Sequence, residues 1–519
     1  MKVDTHALLD AYIRMFNQED EETIVQAVPN AAALDWLEAR IPRVALPDAA
    51  IERAYYFRWW TYRKHLKQTP EGFVVTEFLP PVSWAGKYNT ISCAAGHHIR
   101  EGRWLRENAF LDDYIHFWYN GGKMHLRSYS NWLESAIESL ATLRGDETGL
   151  DLLDAFVHNL RAWEAEHMCA SGLYWSSDNR DGCEFSISGP GLRPTLNCYQ
   201  YANLIALGNM ADRKKAPALR DMAQNAAQTL RNKINALLWD DGLGFYVTLP
   251  QRNASSPPFS DPLRHVREIF GYAPWMFGVA DPGHSAAFRQ LIDFDGFRGT
   301  YGLLSAERRH PCFGLFYSGE ALNAWRELRG EPPVHPLGHE CLWNGPSWPY
   351  ASSIALTALA NLLSGGEAQE TIHAIDYCFL LSQYAASHTR RTECGKMLSW
   401  LDENLNPDTG DWISRTCLMH WGGQCFPAEK GGYERGKDYN HSSFCDLVLE
   451  GLFGIRPQWD CLRICPLFPA EWPYALVEDV RVHGRNLSIY YQSGKYQVLL
   501  DGHPVYTDAR PTPCTISWH

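Results

Sequence analysis

CLWNGPSWPYASSIALTALANLLSGG, residues 341–366, sets a Trp-rich Gly-Pro turn directly before a long apolar run. Ile354, Leu356, Leu359, Leu362 and Leu363 recur at the three-and-four spacing of a helix that buries one face. The run stops at Gly365 and Gly366, residues able to take the left-handed conformation of a helix C-terminus. Proline near a helix start is ordinary helix grammar. Trp343 and Trp348 bracketing the turn are not, and they serve equally as core or as a platform for stacking.

The same grammar extends outward. In DLLDAFVHNLRAWEAEH, residues 151–167, Leu153, Phe156, Val157, Leu160 and Trp163 keep helical spacing, and such periodicity dominates residues 125–455. Between the helices lie long connections rich in Gly, Pro, Trp and polar residues, at 170–195, 297–315, 335–350 and 403–441. Loops of that length in a compact domain are usually functional. Helices alternating with elaborate loops predict helical hairpins closed in a ring, loops gathered at one mouth. No fixed-period repeat is visible, which disfavours a solenoid. Residues 70–92 carry short β-like runs broken by Pro and Gly, and the chain from about 475 alternates like strands separated by turn dipeptides. The expected organisation is an N-terminal helical and β-containing segment, 1–92, packed on a helical catalytic domain, 93–470, with a small β appendage at 471–519.

Composition bounds the function. The net charge is −13, which argues against nucleic acid, whose binding relies on basic patches that displace counterions. Acidic residues interrupt the N-terminal MKVDTHALLDAYIRMFNQEDEET where a signal peptide needs an apolar run, and no stretch approaches the ~18 apolar residues of a membrane span. A cytoplasmic protein without membrane partners is expected. Its 14 cysteines include no CxxC pair, and Cys461 and Cys465 lack histidines at metal-ligand spacing, so reduced thiols are expected. With no HExxH and no Gly-rich nucleotide loop, no metal or organic cofactor is expected. Oligomeric state stays open, a homo-oligomer included. The 20 Trp, 25 Tyr and 22 Phe are the unusual figure, because flat rings lie against sugar faces as well as in cores.

Glycosidic cleavage needs two carboxyls flanking the bond, one protonated for the leaving oxygen and one ionised to activate water or attack. ASGLYWSSDNRDGCEFSISGPGLR, residues 170–193, offers Asp178, Asp181 and Glu184. Each could equally cap a helix or solvate a turn. LSWLDENLNPDTGDW, residues 398–412, offers Glu403 before a turn, where a surface role is the default. His441 opens a later apolar helix, a place more often structural than catalytic.

Taken in order, these stretches resemble the clan of inverting glycosidases that includes processing α-glucosidase I, mannosylglycerate hydrolase and trehalase. Glu403-Asn404-Leu405-Asn406-Pro407-Asp408-Thr409-Gly410 is similar to the group's general-base motif, with Leu for Tyr. Trp343-Asn344-Gly345-Pro346-Ser347-Trp348-Pro349 is similar to its Trp-x-Gly-Pro-x-Trp-Pro, with Asn344 where the group usually has Arg. The tail of Gly-hydrophobic-Pro, Asp and Pro-x-x-Pro also looks like the group's C-terminal region. The likeness runs collinearly from about residue 80 to 490, closest to the domain type named after mannosylglycerate hydrolase. It implies an (α/α)6 toroid, no cofactor, and Glu403 as base.

For the donor, Gly182-Cys183-Glu184-Phe185-Ser186 resembles the trehalase-like pattern with Glu for Asp. Asp181 and Glu184 are the favoured pair, one as donor and its neighbour raising it by like-charge repulsion, and Asp178 stays a third choice. Trp84-Ala85-Gly86-Lys87-Tyr88-Asn89 stands roughly where the clan has a Trp-Asp pair gripping sugar hydroxyls. Lys87 there, with His97 and His98 close by, points to a different or an anionic sugar. Trp343, Trp348, Trp84 and Tyr88 are expected to stack on sugar, and Arg193, Lys87, His97 and Asn344 to contact hydroxyls or a carboxylate. The expected function is inverting hydrolysis of a small, α-linked oligosaccharide or glycoside. Its rivals are a uronic-acid lyase or sugar epimerase using His97, His98, His310 or His441, and a non-catalytic carbohydrate-binding protein.

Overall fold

The computed structural model describes residues 3–250, 261–333, 338–421, 430–492 and 494–518. Residues 335–337 and 422–429, which fall within the expected loops 335–350 and 403–441, lie outside the described residues. The chain is mainly helical with a C-terminal strand region.

In chain order the first helices are α1 Thr5–Glu19, α2 Ala33–Arg40, α3 Ala49–Lys64, α4 Ser92–Gly102, α5 Phe110–Tyr119, α6 Leu133–Arg144 and α7 Leu153–His167. They are followed by α8 Pro194–Arg213, α9 Pro217–Leu238, α10 Ala273–Met276, α11 Gly319–Leu328, α12 Pro349–Ser364, α13 Ala374–Ala386 and α14 Ile413–His420. Helix α7 buries Leu153, Phe156, Leu160 and Trp163, the face its spacing predicts. Helix α12 starts with Pro349 in its first turn and is buried on every side from Pro349 to Ala360. A helix apolar all round belongs at the centre of a body, and α12 contacts α10, α13 and a π-helical turn at Leu447–Leu452.

Helix α3, AAIERAYYFRWWTYRK, is equally enclosed despite its charges. Burying a charge requires a partner. Arg58 donates to the Ser442 carbonyl at 2.7 Å, and Lys64 pairs with Asp20 at 3.0 Å and with Asp438. Helix α4 packs on α6, α6 on α8, α8 on α10, α10 on α12, and α12 on the π-helical turn. Asp446 and Glu450, at that turn, return ion pairs to Arg100 and Arg103 of α4.

The C-terminal strands form as expected, and they recruit a partner from the other end of the chain. Strand Arg43–Ala45 pairs antiparallel with Tyr474–Val482, and Arg485–Gln492, Lys495–Leu500 and His503–Asp508 continue the five-stranded sheet. Val477, Val480, Val482, Leu487, Ile489 and Val498 fill its buried face and join the main core. Strand Cys514–Ser517 pairs with Cys461–Ile464, which pairs with Ile455–Pro457. In the 70–92 stretch only Gly72–Val75 is a strand, paired with Leu66–Thr69; beyond it the chain is irregular up to a short 3-10 helix at Lys87–Asn89 and the start of α4. The described cysteines are free thiols. Among the described residues no helix is long and apolar enough to cross a membrane.

Candidate active site

Backbone hydrogen bonds tie the motif-bearing loops together. Ser347 and Leu405 exchange N–H to carbonyl bonds at 2.9 Å each way, and Leu405 also bridges Trp412. The Trp343 N–H donates to the Glu184 carbonyl at 3.0 Å, and Asn404 Nδ2 donates to the Glu340 carbonyl at 3.0 Å. Gly182 and Phe185, with φ of 69° and 59°, turn the chain sharply on either side of Glu184. A bulky residue in the left-handed region is a strained position of the kind that clusters at functional sites. Glu403 is anchored by its neighbour: the buried Asp402 carboxylate accepts the Glu403 N–H at 2.8 Å, the Ser414 hydroxyl at 3.0 Å and the Trp400 indole N–H at 3.3 Å.

These loops enclose a cavity of about 320 Å³ whose lining includes Glu77, Glu184, Glu340 and Glu403. Trp343 and Trp348 form one wall, their rings stacked at 4.3 Å and 7°. Trp84 lines it as well, beneath the Arg435 guanidinium at 4.8 Å. The carboxyls sit in different company. Glu184 has no ion pair among the described residues; burial, with Asp178, Glu403 and Glu340 adding like charge, pushes it up to about 8. Glu77 is pushed up to about 8 by burial, with Glu403 and Glu184 adding to the rise and a hydrogen bond from the Tyr439 hydroxyl opposing it. Glu403 is raised by burial and by Glu340, while Arg435 opposes the rise through contacts of 3.0 and 3.3 Å to its two oxygens. Burial acts on Glu340 too, but Arg435, His339 and Lys430 together hold it well below the usual carboxylate range. One cavity thus holds two carboxyls pushed up to about 8, Glu77 and Glu184, and two set against a guanidinium, Glu340 and Glu403.

The family described as "Mannosylglycerate hydrolase MGH1-like glycoside hydrolase domain" matches residues 87–442. The chain belongs to that family. Among solved structures, a protein named "Sialidase" superposes with a TM-score of 0.86 at 33% identity, over 99% of this chain and 45% of that one. A GH78 family rhamnosidase of Bacillus sp. GL1 gives 0.54 at 13% identity, over 88% of this chain and 41% of that one, a likeness of fold. The GH63 mannosylglycerate hydrolase from Thermus thermophilus, in complex with glucose, gives 0.48 at 12% identity, over 76% of this chain and 99% of that one. This glycoside hydrolase domain therefore spans less than half the length of the first two. No curated protein matches it.

Of the residues singled out in the sequence of this glycoside hydrolase domain, Asp181, Glu184, Glu403, Trp343, Trp348 and Trp84 line the cavity. Asp181 is committed elsewhere: it accepts from Arg193 Nε at 2.6 Å and from the Thr195 hydroxyl, and the Asp181–Arg193 side chains are fully buried. Arg193 Nη1 donates to the Gly189 carbonyl and the Ser186 hydroxyl, and the residue is not in the lining. Asp178 also lies behind it, raised by burial and turning the chain through its carbonyl, which accepts from Asp181 and Cys183. Asn344, Lys87, Tyr88 and His97 are not in the lining. Asn344 is buried, Lys87 is exposed and paired with Glu71, and Tyr88 packs on Phe117. His97 bonds the Ser443 hydroxyl at 2.9 Å and packs on Trp132 and Tyr350. His98 bonds Tyr114 and the Asn440 carbonyl, and His310 accepts from the Cys312 N–H. Of the histidines weighed for other chemistries only His441 reaches the cavity, and burial among His97, Arg58 and His98 keeps it neutral.

Sequence reading missed Glu77, Glu340, Cys341, Arg435 and Tyr439. Glu340 and Cys341 sit three and two residues before Trp343, and Arg435 lies in the 403–441 loop, so the long connections themselves were the available signal. Glu77 stands in TEFLPP, a turn-like stretch without any distinguishing mark.

Proposed function

We propose that this chain is a glycosidase acting on a small oligosaccharide or glycoside, with Glu184 as proton donor and Glu403 as the base that activates water. The observation that carries this reading is the contrast between the two carboxyls in one cavity: Glu184 raised to about 8 with no ion pair among the described residues, and Glu403 set against Arg435. A donor must hold its proton when substrate arrives, and a base must have lost its own.

In the proposed step the Glu184 proton passes to the glycosidic oxygen as that oxygen leaves the anomeric carbon. Glu403 takes a proton from a water attacking the opposite face, and the product carries the inverted configuration. This geometry requires the two carboxyls to stand about 6.5 to 9.5 Å apart. Before the next turnover the proton gained by Glu403 returns to Glu184 through solvent. Asp181, held by Arg193 and Thr195, supports the loop that carries the donor.

A cavity of about 320 Å³ lies at the small end for ligand sites, which favours one sugar ring inside and the remainder of the substrate outside. The stacked Trp343 and Trp348 offer that ring a face, and Trp84 a second apolar surface. Resemblance to the α-glucosidase I group favours an α-link. The name "Sialidase" belongs to a larger protein and suggests a sugar bearing a carboxylate. Such a sugar would meet Glu340 and Glu403, which already share Arg435, so we favour a neutral sugar. For the body we propose a closed (α/α)6 ring whose inner wall is α4, α6, α8, α10, α12 and the π-helical turn. Residues 93–470 then form the catalytic unit, with 1–92 and 471–519 packed against it.

The test is hydrolysis of a panel of neutral α- and β-glycosides by the wild type, Glu184→Gln and Glu403→Gln. Cleavage of one substrate by the wild type and loss in both variants supports the reading; turnover retained in Glu403→Gln removes it.

A further inference from the structure

Arg435 is a single cation shared between two carboxylates. Its Nη1 lies 2.7 Å from Glu340 Oε1, an ion pair outside hydrogen-bond geometry, while its Nη2 donates to Glu403 Oε2 at 3.0 Å, and the side chains of Arg435, Glu340 and Glu403 are all at most 3% exposed. The guanidinium is planar and rigid, so fixing one arm fixes the direction of the other. We infer that Glu340 is a positioning residue for Glu403, holding one arm of Arg435 and offsetting its charge so that the other arm orients the base without disarming it. This rests on the reading of Glu403 as base given above.

The physical reason is a conflict that Arg435 alone would create. A buried carboxylate facing an unshared guanidinium is held ionised but becomes a poor acceptor of protons, because an opposite charge at this distance lowers a carboxyl by about one to three units. Glu340 relieves the conflict. It carries its own negative charge to the far side of Arg435, supported by Lys430 at 3.4 Å. Glu340 also raises Glu184, Cys341 and Cys417 by its charge. Besides Arg435 and Glu340, the groups facing Glu403 are Cys341 at 3.7 Å, the adjacent Asp402, and Glu77, Glu184 and Tyr439 around the cavity. Burial keeps Cys341 and Tyr439 protonated, leaving Arg435 as the one cation in contact with the base among the described residues.

The experiment reads the Glu403 titration directly, as the infrared carboxyl difference between the wild type and Glu403→Gln, repeated in a Glu340→Gln background. With the charge at 340 removed, the full charge of Arg435 falls on Glu403, and its titration drops by about one unit or more. If Glu340→Gln does not fold, Glu340→Asp replaces it; the longer contact to Arg435 gives a smaller drop of the same sign. A Glu403 titration that stays put or rises in whichever variant folds overturns the inference. The acid limb of kcat/KM should move with the titration. A titration that drops in a protein that cleaves no glycoside shows Glu340 coupled to Glu403 through Arg435 but sinks the proposed function, and the positioning of a base with it; active enzyme with a dead Glu403→Gln and an unmoved titration overturns this inference and leaves the proposed function standing.

Discussion

At the scale of single residues, one cavity sets its carboxyls in very different company. Burial raises both Glu184 and Glu403, but only Glu403 has a guanidinium within hydrogen-bond reach. On the proposed mechanism Glu403→Gln lowers kcat by about a hundred- to ten-thousand-fold, measured on whichever glycoside the wild type cleaves. Glu184→Gln loses as much on a glycoside with a poor leaving group and much less on an activated aryl glycoside, whose departure needs little protonation. Since Glu184 must be protonated and is raised to about 8, kcat/KM falls as pH climbs through about 8, and Glu184→Gln removes that limb. Stability follows the same groups. Glu77 in the folded chain titrates near 8, against the 4.5 of an ordinary glutamate, so between those values the folded state holds a proton that the unfolded state has lost. Its contribution is complete below pH 4.5 and is lost as pH rises through 8. Glu77→Gln should therefore gain in melting temperature relative to the wild type between pH 5 and pH 9, and a constant difference across that range would contradict the burial argument. Glu403 was readable in the sequence because a turn motif follows it and other motifs flank it in order. Glu77, Glu340 and Arg435 were not, because a carboxylate or a guanidinium in a loop carries no local sign of what will be folded over it.

At the scale of elements, the motif around Trp343 and the motif around Glu403 are two strands of one bridge. Ser347 and Leu405 pair through both N–H groups, which ties the Trp wall to the loop that carries Glu403. On the far side the 430–441 segment approaches so closely that a Cβ at Gly436 would lie 1.9 Å from Asp402 Oδ1 and 3.2 Å from Glu403 Cγ. Gly436→Ala must displace the carboxylate that holds the Glu403 N–H. We expect it to cost about tenfold or more in kcat, since misplacing a reacting group by an ångström costs on the order of a hundredfold, with KM changing far less; kinetics equal to the wild type would show that Asp402 does not position the base. Periodicity located α7, which buries one face, and α12, which is buried on every side rather than on the one face its spacing predicts. It did not distinguish α3, whose Arg58, Arg63 and Lys64 look like a solvated face and are buried on partners distant in sequence, among them Ser442 and Asp438.

At the scale of the whole molecule, contacts between the chain's distant parts hold the cavity's walls in place. Arg103 of α4 pairs with Asp446 at 2.6 Å and with Glu450, joining helices more than 340 residues apart in sequence. Its side chain is 4% exposed, so Arg103→Met leaves the buried Asp446 and Glu450 with Arg100 as their remaining shared partner and should cost about 1 to 3 kcal/mol in denaturant unfolding. The KM of the folded variant should stay near that of the wild type, because Arg103 is not in the cavity lining. Strand Arg43–Ala45 at the edge of the C-terminal sheet is a second such closure. Neither was legible beforehand, since a pairing between the ends of a chain leaves no periodic trace in either segment. The mainly helical body and the strands after residue 474 were legible, because each needs only its own alternation of apolar and polar residues.

The central claim is that Glu184 and Glu403 act on opposite faces of one glycosidic bond. The most direct measurement is a proton NMR time course of the wild type on its cleaved glycoside, reading the anomer that forms first, alongside Glu403→Gln. The account predicts that the first anomer is inverted relative to the substrate and that the variant forms none. A first anomer of retained configuration, or a Glu403→Gln that turns over at the wild-type rate, would contradict it.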